Sequence, residues 1–583
     1  MRLNRTSLAI LSALASLIFV TAFTLAPALA TRQAHAASGI TGTAQHATST
    51  VIAHYQRDES AVGASSAASL RAAEERQLPA LSPMGARLRA AKANVSNIHT
   101  AQAATNNTDE SGDQNRHDLG ATFAGLQSSA AICPPVGCNP PDMGLAASPQ
   151  WVLQGVNTSW AVYDTHGNIQ PGWPKTFFDF AGVPDRGPCA GGVPFMSDPR
   201  PLYDPGTRRF FAAALEVEGA FGVNNCPFLS IYWIAASATS NPNGVWNIYA
   251  FDMTLGTTNG ADFTMVGFDG TDLYFSANMF VQDGSAAAYA EIFGANKRAM
   301  EANRNLSAPG FFNLQVNGPK GTYVADTVQP AQTEGASGDG NGEAFVDTLN
   351  GFDPATGNFC TSPTDSCKGL AVWTFHPGED GPPSLGFHFT NTKPYFVPPA
   401  ADQTSCLQCL DSSDLRISAT PVMRNGSLYA AWETGLNNGT QIVAAIEWSQ
   451  VATGGDERGD RSANDYYFFK GGDDAVIYPA LMVNNDGTLF MVFDRTSSTV
   501  DPQVRLTWRE PGGRFKADGT LIKAGNGPYR PTRCGHDIPV CRWGDYSATS
   551  YDGVAGDHVW FAGQFTSPIT SFSRNWATWI GEI

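Results

Sequence analysis

Aspartate and arginine recur as couples near the start of several segments of this chain. A guanidinium group presents a planar fork of hydrogen-bond donors that matches a carboxylate or another planar anion. If each couple begins the innermost strand of a repeated sheet, the side chains converge on one pocket that would bind an acidic sugar or a similar anion. In the alternative, each couple is an ion pair that joins neighbouring sheets. The couples are Asp198 with Arg200, Asp414 with Arg416, Asp494 with Arg495, and Arg542 with Asp545.

Hydrolysis of an acidic glycoside through a tyrosine nucleophile would need more than an arginine cluster. It would also need a glutamate that activates the tyrosine and an acid–base aspartate. The candidates are Tyr478 or Tyr546 as the nucleophile and Glu433 or Glu343 as its partner. No spacing singles these residues out, and the chain has no GxSxG, HExxH or P-loop motif. A non-catalytic binding role is therefore favoured over an enzyme.

No cofactor is predicted, and a structural calcium ion is the alternative. The turns at Asp269-Gly270 and at 485–487, with the acidic loop at 471–474, offer oxygen ligands that hard cations prefer. An Asp-Gly turn is also favourable in a hairpin without any metal. Five of the 10 histidines lie before residue 118, and those further on are scattered. A histidine-based metal centre is therefore not expected in the later part of the chain.

The 10 cysteines form five couples of sequence neighbours, and an even count in an exported chain favours disulfides. We predict that nearest neighbours pair, although sequence alone leaves the connectivity open. The CxxC at 406–409 has a redox or zinc site as its alternative, but no second CxxC or pair of histidines lies nearby. The couples are Cys133 and Cys138, Cys189 and Cys226, Cys360 and Cys367, Cys406 and Cys409, and Cys534 and Cys541.

Residues 1–30 have the pattern of an export signal. Arg2 and Arg5 precede an apolar stretch at 8–23, and small residues at 28–30 or 34–36 form a cleavage site. An uncleaved membrane anchor is the alternative. No later run of about 18 apolar residues follows, so the mature protein is predicted to be secreted or periplasmic, without a membrane span. Residues 31–130, rich in Ala, Ser, Thr and Gln, are predicted to form a flexible or partly helical leader or a pro-segment.

The net charge of the chain indicates which classes of partner it can bind. The formal net charge is −17, and no basic stripe is present. Nucleic-acid binding depends on clustered Lys and Arg and is therefore not expected. A glycan or a protein is the expected partner of a monomer.

Residues 131–583 have the pattern of a single β-propeller of six or seven blades. Short aromatic and β-branched runs alternate with Asp-Gly, Asn-Gly and Pro-Gly turns, which is typical of hairpins. The strand-turn-strand pattern at 141–164 recurs at 544–580, as expected where the first and last blades of a ring meet. A β-sandwich or two jelly rolls is the rival architecture. The tryptophans are predicted to fill blade cores rather than to form a sugar-stacking platform.

Several short motifs resemble those of exported bacterial proteins of the sialidase-like propeller superfamily. They are the segments at 140–149, 197–200, 426–429 and 542–547. The resemblance implies a propeller. It does not imply sialidase activity, because most of the group has no assigned chemistry.

The sequence thus favours a binding module that recognises a glycan, a cell surface or a partner protein through one mouth of the propeller channel. The alternative is a sialidase-like glycoside hydrolase or a polysaccharide lyase that acts on an acidic sugar at the same mouth.

Overall fold

The architecture is all-β. The computed structural model describes residues 39–66, 117–128, 141–157, 159–183, 195–218, 229–281, 287–335, 342–361, 365–378, 382–453, 463–530, 540–553, 557–568 and 575–583. Within these ranges the helical elements are a 3-10 turn at Glu59–Ala61 and two short α-helices, α1 (Phe177–Ala181) and α2 (Lys297–Glu301). No helix in the described ranges is long and apolar enough to cross a membrane.

Three strands come from the N-terminal part of the chain: β1 (Thr41–Ser49), β2 (Val51–Asp58) and β3 (Thr122–Gln127). The first three blades follow in chain order, and each is an antiparallel sheet. Blade 1 consists of β4 (Gly144–Ala147), β5 (Trp151–Val156), β6 (Ser159–Asp164) and β7 (Lys175–Thr176). Blade 2 consists of β8 (Phe195–Asp204), β9 (Arg209–Glu218), β10 (Leu229–Ser237) and β11 (Val245–Asp252). Blade 3 consists of β12 (Gly260–Phe268), β13 (Asp272–Phe280), β14 (Ala287–Asn296) and β15 (Ala308–Gly318), with β16 (Gly321–Val324) paired to β15.

The other four blades repeat this plan. Blade 4 consists of β17 (Gln329–Pro330) with β18 (Gln332–Thr333), β19 (Glu343–Thr348), β20 (Leu370–His376) and β21 (Ser384–Thr390). A hairpin of β22 (Ala401–Gln403) and β23 (Cys406–Leu410) leads to blade 5, which consists of β24 (Val422–Arg424), β25 (Ser427–Asn437), β26 (Ile442–Ala452) and β27 (Ala463–Phe468). Blade 6 consists of β28 (Ala475–Val483), β29 (Leu489–Ser497), β30 (Val500–Arg509) and β31 (Thr520–Lys523). Blade 7 consists of β32 (Ala548–Tyr551), β33 (Val559–Thr566) and β34 (Trp576–Glu582), and β3 completes it.

The predicted propeller is confirmed, and it has seven blades. The first strand of each blade lies innermost and contacts those of its neighbours, so the strands close a ring: β4 meets β8, β8 meets β12, β12 meets β17, β18 meets β24, β24 meets β28, β28 meets β32, and β32 meets β4. β18 also pairs in parallel with both β12 and β24, which joins blades 3, 4 and 5 near the axis. A sandwich or a pair of jelly rolls would not produce this cycle of contacts.

The blades stack face to face, so their strands are buried on both sides. β13 and β28 are buried at every position, which explains why their sequences show continuous apolar runs rather than strict alternation. Eight tryptophans are fully buried, as predicted for blade cores. They are Trp160, Trp233, Trp246, Trp373, Trp432, Trp543, Trp560 and Trp576.

The structure differs from the prediction for part of residues 31–130. β1 pairs with the outer edge of blade 3, β2 with the outer edge of blade 2, and β3 with β34. These edges offer unpaired N–H and C=O groups, and added strands satisfy them. The predicted signal at 1–30 and residues 67–116 of the predicted leader lie outside the described residues.

A buried ion pair fastens the N-terminal segment to blade 1. Lys175 Nζ lies 2.6 Å from Glu59 Oε2, and neither side chain is exposed. The same ammonium donates to the Glu59 carbonyl oxygen at 2.9 Å. Residues 39–66 thus run along the rim from blade 3 through blade 2 to blade 1, and we call them the rim strap.

Two of the predicted disulfides are present in the described residues. Cys360 is bonded to Cys367 and Cys406 to Cys409, with Cα–Cα distances of 5.4 and 5.9 Å. Cys541 is also disulfide-bonded. The CxxC therefore forms a disulfide, and not the zinc site that was its alternative. The other cysteines, Cys133, Cys138, Cys189, Cys226 and Cys534, lie outside the described residues.

The ion pair of the rim strap gives the first prediction. Glu59→Gln should lower the free energy of unfolding by about 3–5 kcal/mol, because Lys175 would keep a buried charge without its partner. The control is Lys470→Met, whose ion pair with Asp518 has side chains 28% and 44% exposed and should contribute no more than about 1 kcal/mol. Denaturant unfolding of both variants checks this. Equal losses in the two variants would contradict the role assigned to burial.

Candidate functional site

A strained backbone conformation recurs near the start of the inner strands. Near the start of six of them lies a non-glycine residue in the left-handed region, and a β-bulge interrupts the ladder at three of these positions. A bulge redirects side chains and often lies beside a functional site. We call this end of the channel the mouth. The six residues are Asp142 (φ 38°), Asp198 (φ 54°), Phe263 (φ 53°), Thr327 (φ 54°), Ser413 (φ 61°) and Tyr478 (φ 53°).

Blades 1 to 5 and blade 7 each place a carboxylate near the start of the inner strand. Three arginines lie among them, namely Arg200, Arg416 and Arg542, so three of the four predicted arginines converge at the mouth. The carboxylates belong to Asp142, Asp198, Asp262, Asp326, Asp414 and Asp545.

Arg542 connects blades 7 and 1. Its Nη2 forms an ion pair with Asp545 Oδ2 and lies 3.6 Å from Asp142 Oδ2. Burial alone would lower the pKa of Arg542, but Asp545 and then Asp142 raise it well above its usual value. The Asp545 N–H donates to Asp142 Oδ1 at 2.7 Å, and Asn157 Nδ2 donates to the other oxygen. Asn157 Oδ1 accepts from the Asp198 N–H at 3.1 Å, which extends the network to blade 2.

Arg416 enters the same network from blade 5. Its Nε lies 2.7 Å from Asp414 Oδ2, and its Cζ lies 4.3 Å from the centre of the Phe263 ring on blade 3. Burial raises the pKa of Asp262, while Arg416 and Arg542 act to lower it. Both guanidinium groups therefore act on Asp262 electrostatically. Three of these side chains remain partly exposed: Arg542 by 32%, Asp545 by 20% and Arg416 by 18%.

Arg200 forms a floor beneath the mouth. From blade 2 its guanidinium reaches the Ser418 carbonyl oxygen of blade 5 at 3.5 Å and the Thr264 carbonyl oxygen of blade 3 at 3.3 Å. Its Cζ lies 3.3 Å from the centre of the Tyr546 ring, which packs edge-on against Phe263. Below this layer the channel holds a cavity of about 30 Å³, enough for a water and too small for a ligand. We call the charged side chains at the mouth, with Arg200 as their floor, the bowl.

The fourth predicted couple lies elsewhere. Asp494 is buried at the interface of blades 6 and 7, where it accepts from Trp543 Nε1 at 2.8 Å and from the Gln564 N–H at 3.3 Å. Arg495 pairs with Asp474 through Nε at 2.7 Å and Nη2 at 2.9 Å. This couple therefore lies outside the mouth: Asp494 joins blades 6 and 7 through neutral donors, and Arg495 pairs with a different carboxylate, Asp474.

The proposed Tyr478 and Glu433 pair is in contact, but not through the phenol. Glu433 Oε1 accepts from the Tyr478 backbone N–H at 2.6 Å, and the Tyr478 hydroxyl accepts from the Ser413 N–H at 3.1 Å. Burial, followed by repulsion from Asp411 and Asp545, raises the pKa of Tyr478 well above its usual value. A phenol that resists ionisation is poorly suited to act as a nucleophile.

The other two catalytic candidates are buried. Tyr546 lies under Arg200, and burial raises the pKa of its phenol well above the usual value. Glu343 accepts from Thr333 Oγ1 at 2.9 Å and is fully enclosed in blade 4, near Asp269 at the opposite end of the inner strands. The structure therefore does not bring Glu343 together with either tyrosine at the mouth.

Sequence reasoning missed three carboxylates of the bowl: Asp142, Asp262 and Asp326. Asp142 lies in a motif that carries the family resemblance, but it was not assigned to the site. Asp262 and Asp326 each come directly before a left-handed residue of an inner strand. Alignment of the strand starts, rather than a search for Asp–Arg spacing, would have found them.

A pocket of about 280 Å³ lies between blades 5 and 6. It lies on the same face of the propeller as the mouth, because β25 ends and β28 begins beside it. The disulfide-linked β22–β23 hairpin forms one wall and is tied to the segment before Arg542 by pairing of Leu410 with Cys541. Among the described residues, its polar lining contains two carboxylates and no basic side chain: Asp402, Gln408, Asn437, Thr440, Gln441 and Asp473.

Comparison with known proteins finds solved structures that are distantly similar to this chain. Protein-family models and curated proteins give no match to this chain. A GH93 α-L-arabinofuranosidase of Fusarium graminearum in complex with arabinobiose is 8% identical, covering 79% of this chain and 98% of its own, with a TM-score of 0.32. The Trypanosoma rangeli sialidase in complex with DANA is 10% identical, covering 66% and 54%, with a TM-score of 0.30. The phage phi92 endosialidase is 9% identical, covering 76% and 67%, with a TM-score of 0.31. At these values the similarities carry no argument, and the fold assignment rests on the sheets.

The buried mouth predicts a pH effect on stability. Burial, followed by repulsion from Asp262, raises the pKa of Asp198 to about 7, against about 3.9 in an unfolded chain. At pH values between these two pKa values, the folded state holds a proton that the unfolded state releases. The contribution of Asp198 to stability is therefore complete at low pH and is lost as pH rises to about 7. Asp198→Asn, which mimics the neutral form, should flatten the fall in unfolding free energy between pH 5 and 8. Denaturant unfolding across this range checks it.

The control for this experiment is Asp164→Asn, at an exposed turn of blade 1. It should leave the shape of the pH profile unchanged. A profile as steep for Asp198→Asn as for the wild type would show that Asp198 does not hold the proton.

Proposed function

We propose that this protein binds a carbohydrate in the bowl at the mouth of its channel. The observation that carries the proposal is the meeting of Arg542, Asp545 and Arg416, each partly exposed, above a closed floor. Guanidinium groups only donate hydrogen bonds and ionised carboxylates only accept them. A sugar hydroxyl both donates and accepts hydrogen bonds, so neighbouring hydroxyls match a site in which guanidinium and carboxylate groups alternate. A concave site with a few converging polar groups is the usual form of a small-ligand pocket.

The balance of charges favours a neutral sugar over an acidic one. Arg542 is shared by two carboxylates, Arg416 is paired with Asp414, and Arg200 is buried in the floor. An incoming carboxylate would compete with these partners and would meet the remaining aspartates. We therefore replace the acidic ligand of the sequence-based hypothesis with a neutral glycan, free or displayed on a cell surface.

The pocket between blades 5 and 6 supports a ligand longer than one sugar unit. Its volume of about 280 Å³ is close to the lower end of the ~300–1,000 Å³ range of ligand pockets. Its carboxylates and amides suit hydroxyl groups, and it lies on the same face as the bowl. A chain of two or more units would place one unit in each. An extracellular or periplasmic setting, which the predicted export signal supports, would give access to such glycans.

Binding can be tested with full-length protein and sets of neutral and acidic oligosaccharides. We expect Asp545→Asn to weaken binding of a neutral oligosaccharide at least about tenfold, since loss of one charged partner of a hydrogen bond is worth about 1.5–3 kcal/mol. The matched control is Arg495→Gln, which removes an ion pair from the rim of blade 6 outside the bowl. It should change the affinity less than about twofold. Isothermal titration calorimetry measures both.

Two results would overturn the proposal. One is that no neutral oligosaccharide binds at all. The other is that Asp545→Asn and Arg495→Gln bind equally well, which would place the ligand away from the bowl.

A second candidate, glycoside hydrolysis, is favoured by one observation. The bowl contains a carboxyl whose pKa burial raises to about 7, Asp198, beside others held by arginines. Hydrolases use one protonated and one ionised carboxyl group. The test is release of reducing ends from an oligosaccharide that binds. Release of reducing ends that is lost in Asp545→Asn but kept in Arg495→Gln would favour a glycoside hydrolase. Binding of the oligosaccharide without such release would favour a binding module.

A further inference from the structure

We propose that His117, Asp486 and Glu510 bind a divalent transition-metal ion, with Zn²⁺ as the reference ion. One ligand atom from each residue lies within 4.8 Å of the other two. His117 Nε2 lies 3.3 Å from Glu510 Oε1. The three residues come from two parts of the fold, since His117 precedes β3 while Asp486 and Glu510 belong to blade 6. This site is independent of the bowl, because β28 ends and β29 begins beside it, at the opposite face.

Neighbouring residues hold the three side chains in place. The Thr488 N–H donates to Asp486 Oδ1 at 2.9 Å, and Thr488 Oγ1 donates to Glu510 Oε2 at 3.1 Å. One threonine thus orients both carboxylates, in the way that outer partners orient metal ligands. The His117 ring packs edge-on against Phe490, with ring centres 5.2 Å apart. The site therefore has an ordered surround as well as the right residue types.

The donor set selects the class of ion. One imidazole and two carboxylates suit zinc and similar transition metals, whereas calcium takes six to eight oxygen ligands. In a tetrahedral zinc site with bonds of about 2.0–2.1 Å, neighbouring ligand atoms are about 3.3–3.4 Å apart. The histidine–glutamate distance already has this value. Asp486, which is exposed and lies within 4.8 Å of the other two ligand atoms, would move in by at most about 1.5 Å, and water would complete the coordination.

A metal here would stabilise the closure of the ring. β3 is the outermost strand of blade 7, and His117, five residues before it, lies beside Glu510 of blade 6. An ion shared by His117 and two blade 6 carboxylates would fix the start of β3. Binding that needs the folded arrangement adds its free energy to folding.

The test uses full-length protein freed of metal by a chelator and then titrated with Zn²⁺ or Co²⁺. We expect one equivalent to bind through this site, with a visible Co²⁺ spectrum. His117→Ala and Glu510→Gln should each weaken this binding at least about tenfold. The control is His166→Ala, an exposed histidine beside Asp164 in a blade 1 turn, which should bind as the wild type does. In hydrogen exchange, Zn²⁺ should slow the amides of residues 122–127 in the wild type and not in His117→Ala.

The proposal fails if the wild type binds no zinc or cobalt, if both ligand variants keep the equivalent, or if Ca²⁺ binds in preference. Glu510→Gln keeps the histidine that packs on Phe490, so its near-ultraviolet circular dichroism separates loss of metal from loss of fold. Metal binding without protection of 122–127 would overturn the role in ring closure.

Discussion

Carboxylates removed from water stay charged only where cations and hydrogen-bond donors replace the solvent. This constraint organises the mouth of the propeller, where six aspartates from six blades meet three arginines. The partners come from different blades: the Asp545 N–H of blade 7 donates to Asp142 of blade 1, and Asn157 of blade 1 links Asp142 to blade 2. Arg200 spans from blade 2 to blade 5. The polar network that forms the bowl is therefore also the network that sets the blades around the axis.

Much of the fold could be predicted from the sequence, because blade strands are buried on both faces and their apolar runs stand out between turns. The rim strap could not. β1 has the sequence Thr41–Ser49 without one large apolar residue, and most of its side chains are exposed. Its strand conformation is imposed by the edge of β15 that it covers, rather than by the propensity of its own residues. A composition-based boundary therefore places the start of the domain too late.

The site was predictable only in part, for a geometric reason. Sequence spacing reveals an arginine one to three residues from an aspartate, and three of the four couples found this way lie at the mouth. Asp494 has an arginine directly after it but lies within the second strand of its blade, where it faces Trp543. Asp262 has no arginine near it in sequence, and only the ring brings it beside Arg416 and Arg542. Position within a blade decides the role, and spacing does not encode position.

The closing strand has a consequence for biosynthesis. The Thr578 hydroxyl of β34 donates to the carbonyl oxygen of Leu126 in β3, a partner 452 positions earlier in the chain. A ribosome or an export channel releases β3 long before β34 exists. Every blade between them can form locally, since its strands are sequential hairpins, but the ring stays open until the last residues emerge. If the predicted export signal directs the chain across a membrane N-terminus first, the unpaired segment would pass through as an extended chain, and the ring would close only on the far side.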